Sequence, residues 1–208
     1  MLFLPLIIQV AKGRMLQPAY SDCVLSPVSS LCAEHLFVRA PPSRAAQEAL
    51  ARVIQNNMMS RYGVVNSRPN ALVVATESAN GGALLGACGV NVEKQPAVAQ
   101  ERVAVLSNLV VEPRARRRGI ARKLVRKCED EVRAWGFDKL YLKVEAPNSP
   151  ARKLYEKLGY RTVMIDSSAQ IPTATNNVFK RVQWVPADLV VMQKDLTAVR
   201  FPSFEWPF

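Results

Sequence analysis

The chain has 208 residues, with 28 Lys and Arg against 17 Asp and Glu and a formal net charge of +11. That length suits one α/β domain with extensions rather than two full domains, and the 49% hydrophobic and 22% charged content excludes wholesale disorder. No apolar run approaches the roughly 18–20 residues of a membrane span, and neither the single histidine (His35) nor the four cysteines (Cys23, Cys32, Cys88, Cys128) have metal-ligand spacing.

Residues 1–34 are poor in acid and open on the apolar run Leu2-Phe3-Leu4-Pro5-Leu6-Ile7-Ile8. A secretory signal places its basic residues before such a run, so this segment reads as a disordered extension or an organellar transit peptide. The domain proper is expected over residues 35–198, with 199–208 as a tail. His35 to Arg39 reads as a short strand, and Ser43 as the N-cap of a helix whose buried face is Ala46, Leu50, Val53, Ile54 and Met58. Ala71 to Thr76 and Ala83 to Val92 form a hairpin turned at Asn80-Gly81-Gly82. Arg102 to Val111 is a strongly apolar third strand. Gly119 to Trp135 is a helix with Ile120, Leu124, Cys128 and Val132 inward, ended by Gly136. Cys88 and Cys128 read as buried small hydrophobes. Leu140 to Glu145 is a strand, Ser149 to Leu158 a helix ended by Gly159, and Tyr160 to Ile165 and Leu189 to Lys194 the last two strands. The polar stretch 166–183 is too long for an ordinary connection and reads as a lid, hairpin or mobile insert. This order gives an α/β (α+β) domain, a mixed central sheet with helices on both faces.

The most informative stretch runs from Leu109 to Arg122. A strand ends, Pro113 breaks its ladder, a basic loop turns, and a helix begins at Gly119. A helix start offers unpaired N–H groups and a positive dipole end to an anion. Gly119 and Ala121 leave the backbone open to a phosphate. Neither a Walker loop nor a three-glycine dinucleotide fingerprint is present.

Arg116-x-x-Gly119-x-Ala121 after an apolar strand resembles the acetyl-CoA motif of the GNAT N-acetyltransferases. The segment Asn148-Ser149-Pro150-Ala151-Arg152-Lys153-Leu154-Tyr155-Glu156-Lys157-Leu158-Gly159-Tyr160 is similar to that family's Asn-x-x-Ala-x-x-Leu-Tyr-x-x-x-Gly-Phe/Tyr segment. One helix and one strand separate the two, as in the family, and Val190 to Leu196 resembles its closing strand. Taken singly, a basic helix face is usually a solvated face and Tyr155 a core tyrosine. Their joint occurrence at this spacing decides against those readings.

The resemblance implies the acyl-CoA N-acyltransferase fold and acetyl-CoA as cosubstrate, with no metal. It implies that backbone groups of Leu109, Val110 and Val111 hold the pantetheine arm like an added strand and polarise the thioester carbonyl. Backbone N–H groups over Arg117, Arg118, Gly119, Ile120, Ala121 and Arg122 would cradle the pyrophosphate. Side chains of the cluster, Arg116 among them, and Lys153 are candidates for the ribose phosphate. Asn148 would bond the pantetheine, and Tyr155 would protonate the leaving thiolate.

Attack by a neutral amine needs a proton acceptor as well. Where some relatives carry Glu or His five residues before the conserved Asn, this chain has Lys143. Where histone-type members carry Glu on the motif strand, it has Val105. Lys143 and Glu145 share a strand face, so Glu145 is the candidate base or amine anchor, and an ion pair between the two is the plainer alternative.

The acceptor is expected to be a protein α-amine or lysine. A polyamine- or aminoglycoside-like acceptor and a non-catalytic acyl-CoA-binding module are the competing readings. Eight cations and no acid occupy residues 114–127, so most of the net charge sits at one helix start. No aromatic interleaves them, which counts against single-stranded nucleic acid. Neither a nucleic acid nor a membrane is expected as a partner, and the acid-poor extension suggests a plastid location, with the cytoplasm as alternative.

Overall fold

The computed structural model describes residues 7–12, 18–36, 43–62, 68–77, 82–95, 99–177 and 181–197. Its strands are β1 (Ile7–Lys12), β2 (Asn70–Thr76), β3 (Leu84–Gln95), β4 (Ala99–Val111), β5 (Lys139–Glu145), β6 (Arg161–Asp166), β7 (Gln170–Ala174), β8 (Val182–Pro186) and β9 (Leu189–Asp195). The helices are α1 (Pro18–His35), α2 (Arg44–Tyr62), α3 (Ile120–Ala134) and α4 (Ser149–Lys157), with a 3-10 turn at Pro113–Ala115. Seven strands form one sheet in the order β1-β2-β3-β4-β5-β9-β6, and β7 and β8 form a separate hairpin. All neighbours are antiparallel except β4 and β5, which α3 connects as a parallel pair.

Alternation along the strands sends side chains to both faces of the sheet. Cys88, Val90, Ala104, Leu106, Leu140 and Leu142 pack with Leu124, Val125, Cys128 and Tyr155 of α3 and α4. On the opposite face, Leu72, Val74 and Ala87 pack with Leu50, Ile54, Met58 and Tyr62 of α2 and with Leu25, Val28 and Cys32 of α1. The mixed sheet with helices on both faces is thus the expected one. Cys88 and Cys128 are fully buried as expected. The Ser43 cap is present, with the Ser43 hydroxyl accepting from Ala46 N–H at 3.3 Å. Gly136 and Gly159, at φ 82° and 91°, end α3 and α4 in the left-handed region that glycine tolerates.

Two expectations are corrected. The stretch expected to be an extension contributes β1, paired along its whole length with β2, and α1, whose Leu25, Val28, Leu31 and Cys32 are buried. The strand expected at 35–39 does not form at its start, because His35 closes α1; residues 37–39 lie outside the described residues. Sequence periodicity misses α1 because Pro27 and several serines interrupt it. Burial against α2 overrides that low propensity. The long polar stretch resolves into the β7–β8 hairpin, whose Ala174 and Val182 pack on the α1–α2 core. The expected turn at residues 80–81 and the tail 199–208 lie outside the described residues.

Candidate active site

The site begins with a parting of strands. β4 and β5 pair only through Ala104–Leu140, Val105–Tyr141 and Leu106–Leu142, although β4 runs on to Val111 and β5 to Glu145. Beyond Leu106 the two strands diverge, leaving a wedge bounded by unpaired strand edges. The cause lies in β4. Between the pairs Gly89–Ser107 and Ala87–Val110 it spends two residues where β3 spends one, and Asn108 takes a left-handed φ of 56°. Such a bulge bends the strand and increases its twist, and Asn tolerates that conformation better than most non-glycine residues.

A cavity of about 400 Å³ fills the wedge. It brings together four residues expected at the site: Leu109, Glu145, Asn148 and Tyr155. Val110 does not line it, since its side chain is buried in the α1–α2 core, so only its backbone is available there. A larger groove of about 650 Å³ lies between α1 and α2, but none of the expected residues borders it.

Tyr155 is buried, 6% exposed, with its ring set edge-on to Tyr160 at 5.7 Å between centroids. Burial, reinforced by the neighbouring Cys88 and Cys128 thiols, pushes its phenol well above the ordinary tyrosine range. The phenol therefore keeps its proton across the ordinary pH range. Tyr160 beneath it donates to Glu129 Oε1 at 3.3 Å, which Lys194 Nζ also meets at 2.8 Å. Glu129 is wholly buried, and this pairing with Lys194, with Arg133 at 4.0 Å, makes its charge tolerable there.

Asn148 is the N-cap of α4, its side-chain oxygen accepting from Ala151 N–H at 3.2 Å. Its side chain is exposed at the cavity wall, so the capping role and a place beside a ligand are compatible. Lys143 makes its ion pair with Asp166 Oδ2 at 3.0 Å, not with Glu145 as the sequence alternative had it. The hydroxyl of Ser168 and then Lys143 hold the Asp166 carboxyl below the usual range.

Arg116, Arg117, Arg118, Gly119, Ile120, Ala121 and Arg122 do not line the cavity. They form the exposed loop beyond the end of β4 and the first turn of α3, with only Ile120 buried. Arg116 Nε donates to Val111 O at 3.1 Å, tying the loop to the strand end. Arg117 and Gly119 are both left-handed, at φ 62° and 76°. Lys123 N–H makes the bond to Gly119 O that opens the helix, so the N–H groups before it have no intrahelical acceptor. A Cβ at Gly119 would meet nothing within 4 Å. The loop and helix start are exposed and rich in cations, and with the unpaired donors of the first turn they make a cradle that fits a pyrophosphate.

The sequence reading missed most of the opposite wall. Arg61 and Asn57 of α2, Glu93 of β3, and Ile171 and Trp184 of the hairpin all border the cavity. It also missed Ser107 and Asn108. A polar Ser-Asn pair inside an otherwise apolar strand was the available signal. Among the described residues no group of His, Cys, Asp or Glu could hold a metal.

Residues 34–160 match the Acetyltransferase (GNAT) family. The chain belongs to that family. It is 36% identical over 70 residues to GCN5-related N-acetyltransferase 4, chloroplastic, of Arabidopsis thaliana, a match covering 34% of this chain and 24% of the relative. It is 40% identical over 62 residues to the [Ribosomal protein bS18]-alanine N-acetyltransferase of Salmonella typhimurium, covering 30% of this chain and 42% of the relative. The matched stretches thus span less than half the length of these curated relatives. Among solved structures, a GNAT-family acetyltransferase of Desulfovibrio desulfuricans superposes with a TM-score of 0.57 at 16% identity, over 92% of this chain and 99% of that one. A Salmonella typhimurium protein solved with its cofactor acetyl-CoA superposes at 0.51 with 18% identity, over 92% and 94%. These likenesses place the fold in the family.

Proposed function

We propose that the chain is an acetyl-CoA-dependent N-acetyltransferase whose acceptor is an amine of a protein or peptide, an α-amine or a lysine. The observation that carries this reading is the wedge between β4 and β5, with Tyr155 and Asn148 on one side and Lys143 and Glu145 on the other. Acetyl-CoA brings an activated acyl group as a thioester. The α3 start holds its phosphates, and the free edge of β4 at Leu109 to Val111 holds the pantetheine arm and aims a donor at the thioester oxygen. Asn148 fixes the arm from the α4 side. Tyr155 delivers a proton to the departing sulfur. Glu145, bordering the same cavity, is our candidate to take the proton from the amine or to anchor it.

The acceptor wall favours a peptide over a polycation. Its charged side chains are Arg61, Glu93, Lys143 and Glu145, two of each sign, among the apolar Leu36, Val53, Ile54, Ile171 and Trp184. A pocket for a polyamine or aminoglycoside would carry net negative charge. A merely acyl-CoA-binding module would not need a protonated phenol buried at the wedge. The two Arabidopsis thaliana relatives named chloroplastic support a plastid setting, and no described helix is long and apolar enough to cross a membrane. A fluorescent fusion of the whole chain should mark plastids; signal in the cytosol alone would favour the alternative.

The acceptor class is tested by competition. With acetyl-CoA limiting, a mixture of short peptides and spermidine should yield acetyl-peptides first. Faster acetylation of spermidine would overturn the peptide assignment.

A further inference from the structure

Tyr62, the last residue of α2, is fully buried, and its phenol oxygen lies 2.7 Å from Ser107 Oγ. The strand behind it is shaped to admit it. A Cβ on Gly89 would lie 2.1 Å from the Tyr62 hydroxyl, so only glycine leaves room for the ring. Gly89 and Ser107 are register partners across β3 and β4. The next residue is Asn108, the left-handed residue of the bulge. Ser107 is held from the other face too, since Cys88 Sγ donates to its carbonyl at 3.8 Å. Ser107 and Asn108 both border the wedge cavity, as do Val53, Ile54, Asn57 and Arg61 of the helix that Tyr62 ends.

A strand with a left-handed residue inside it holds that shape only where its surroundings fix it. Here the pin on the α2 side is one hydrogen bond placed immediately before the bulge. Burial keeps the Tyr62 phenol protonated, so the bond persists across the working pH range.

We propose that Tyr62 is a positioning residue for acetyl transfer. By holding Ser107 it fixes the Asn108 bulge, and through it the aim of the Leu109 backbone at the thioester. This rests on the transferase reading above. It also makes α2, which forms the acceptor wall, the element that sets the cofactor strand. The Tyr62–Ser107 hydroxyl pair links acceptor side to cofactor side.

The test uses the full chain with Tyr62→Phe, Ser107→Ala and the double variant. Each conservative change keeps the packing and removes the bond. Each single variant should lower kcat roughly tenfold, the scale of a small misplacement at a reacting centre. The affinity for free CoA, which has no acetyl oxygen to aim at, should stay within about twofold, whereas a general loss of structure would weaken it as well. The double variant should be no worse than either single one, because both delete the same interaction. Amide hydrogen exchange at Ser107 and Val110, the register-paired residues flanking the bulge, should quicken in all three. Unchanged kcat with unchanged exchange in Tyr62→Phe, or losses that multiply in the double variant, would overturn the proposal. Wild-type turnover tests the transferase reading separately. The exchange measurement decides whether Tyr62 holds the bulge even if that reading fails.

Discussion

The two sides of the β4–β5 wedge are built in different ways. The side we assign to the cofactor comes from one continuous run of sequence, from the end of β4 through α3 and β5 to α4. Its working parts are mostly backbone: a bulge, a strand edge and a helix start. The acceptor side is gathered from Leu36, α2, β3, β5 and the β7–β8 hairpin, and its parts are side chains. Backbone sites demand particular residue types at fixed spacing, so they leave a motif. A wall of side chains assembled from distant segments leaves none. The difference also predicts where substitutions hurt: changes on the cofactor side should affect any acceptor equally, and changes on the acceptor wall should change which acceptor is used.

The largest effect is expected beneath the cofactor side. Lys194→Met removes the 2.8 Å ion-pair partner of buried Glu129, while Arg133 at 4.0 Å and the Tyr160 hydroxyl stay, and should cost about 3 kcal/mol of stability in urea unfolding. A loss under about 0.5 kcal/mol would mean that water reaches Glu129 after all. Next, Tyr155→Phe should lower kcat at least about tenfold with every amine tried, at little cost in acetyl-CoA affinity. Because burial holds the Tyr155 phenol far above the ordinary range, the wild-type rate should show no fall as pH passes about 10, where an ordinary tyrosine would lose its proton. A descending limb there that disappears in Tyr155→Phe would contradict this environment. Gly119→Ala comes third. Forcing a Cβ into φ 76° costs about 1 kcal/mol, so acetyl-CoA should bind roughly fivefold more weakly with kcat nearly unchanged.

The smallest effect belongs to the ion-pair partner of Lys143, which lines the acceptor side. The Asp166 carboxyl is held low by Ser168 and Lys143. A lowered carboxylate pKa adds stability that is full above the unfolded value near 3.9 and fades as pH falls below it. Asp166→Asn should therefore cost less than about 1 kcal/mol at pH 7, with the gap closing below about pH 3. A gap that widened in acid would reverse the assignment. If the same variant alters the preference among peptides but not the affinity for acetyl-CoA, the division between the two sides is sharpened.

How much of this the sequence discloses follows the same division. The elements from α2 to α4 were legible because their apolar alternation, caps and terminating glycines agree locally: Ser43, Gly136 and Gly159 sit where those signals put them. β1 and α1 were not, since six strand residues with no preceding signal and a helix interrupted by Pro27 owe their form to β2 and α2. Tyr155, Asn148 and Gly119 are expected at the site from spacing alone, and Tyr155 and Asn148 border the wedge cavity. Tyr62 and Ser107 lie 45 residues apart, and their bond depends on the space at Gly89, which only the register of β3 and β4 brings opposite. Lys143 has Glu145 two residues away in sequence and Asp166 across the sheet, and the sheet supplies its partner. Proximity along the chain suggested the wrong one.

Acetyl transfer itself is the most direct measurement. Isotope-labelled acetyl-CoA would be incubated with the full chain and a library of peptides with varied first residues and internal lysines, and the products mapped by mass spectrometry. Labelled acetyl groups are expected on peptide amines, formed in step with free CoA and strongly reduced in Tyr155→Phe. Tight binding of acetyl-CoA with no labelled amine on any peptide or on spermidine would contradict the transferase reading.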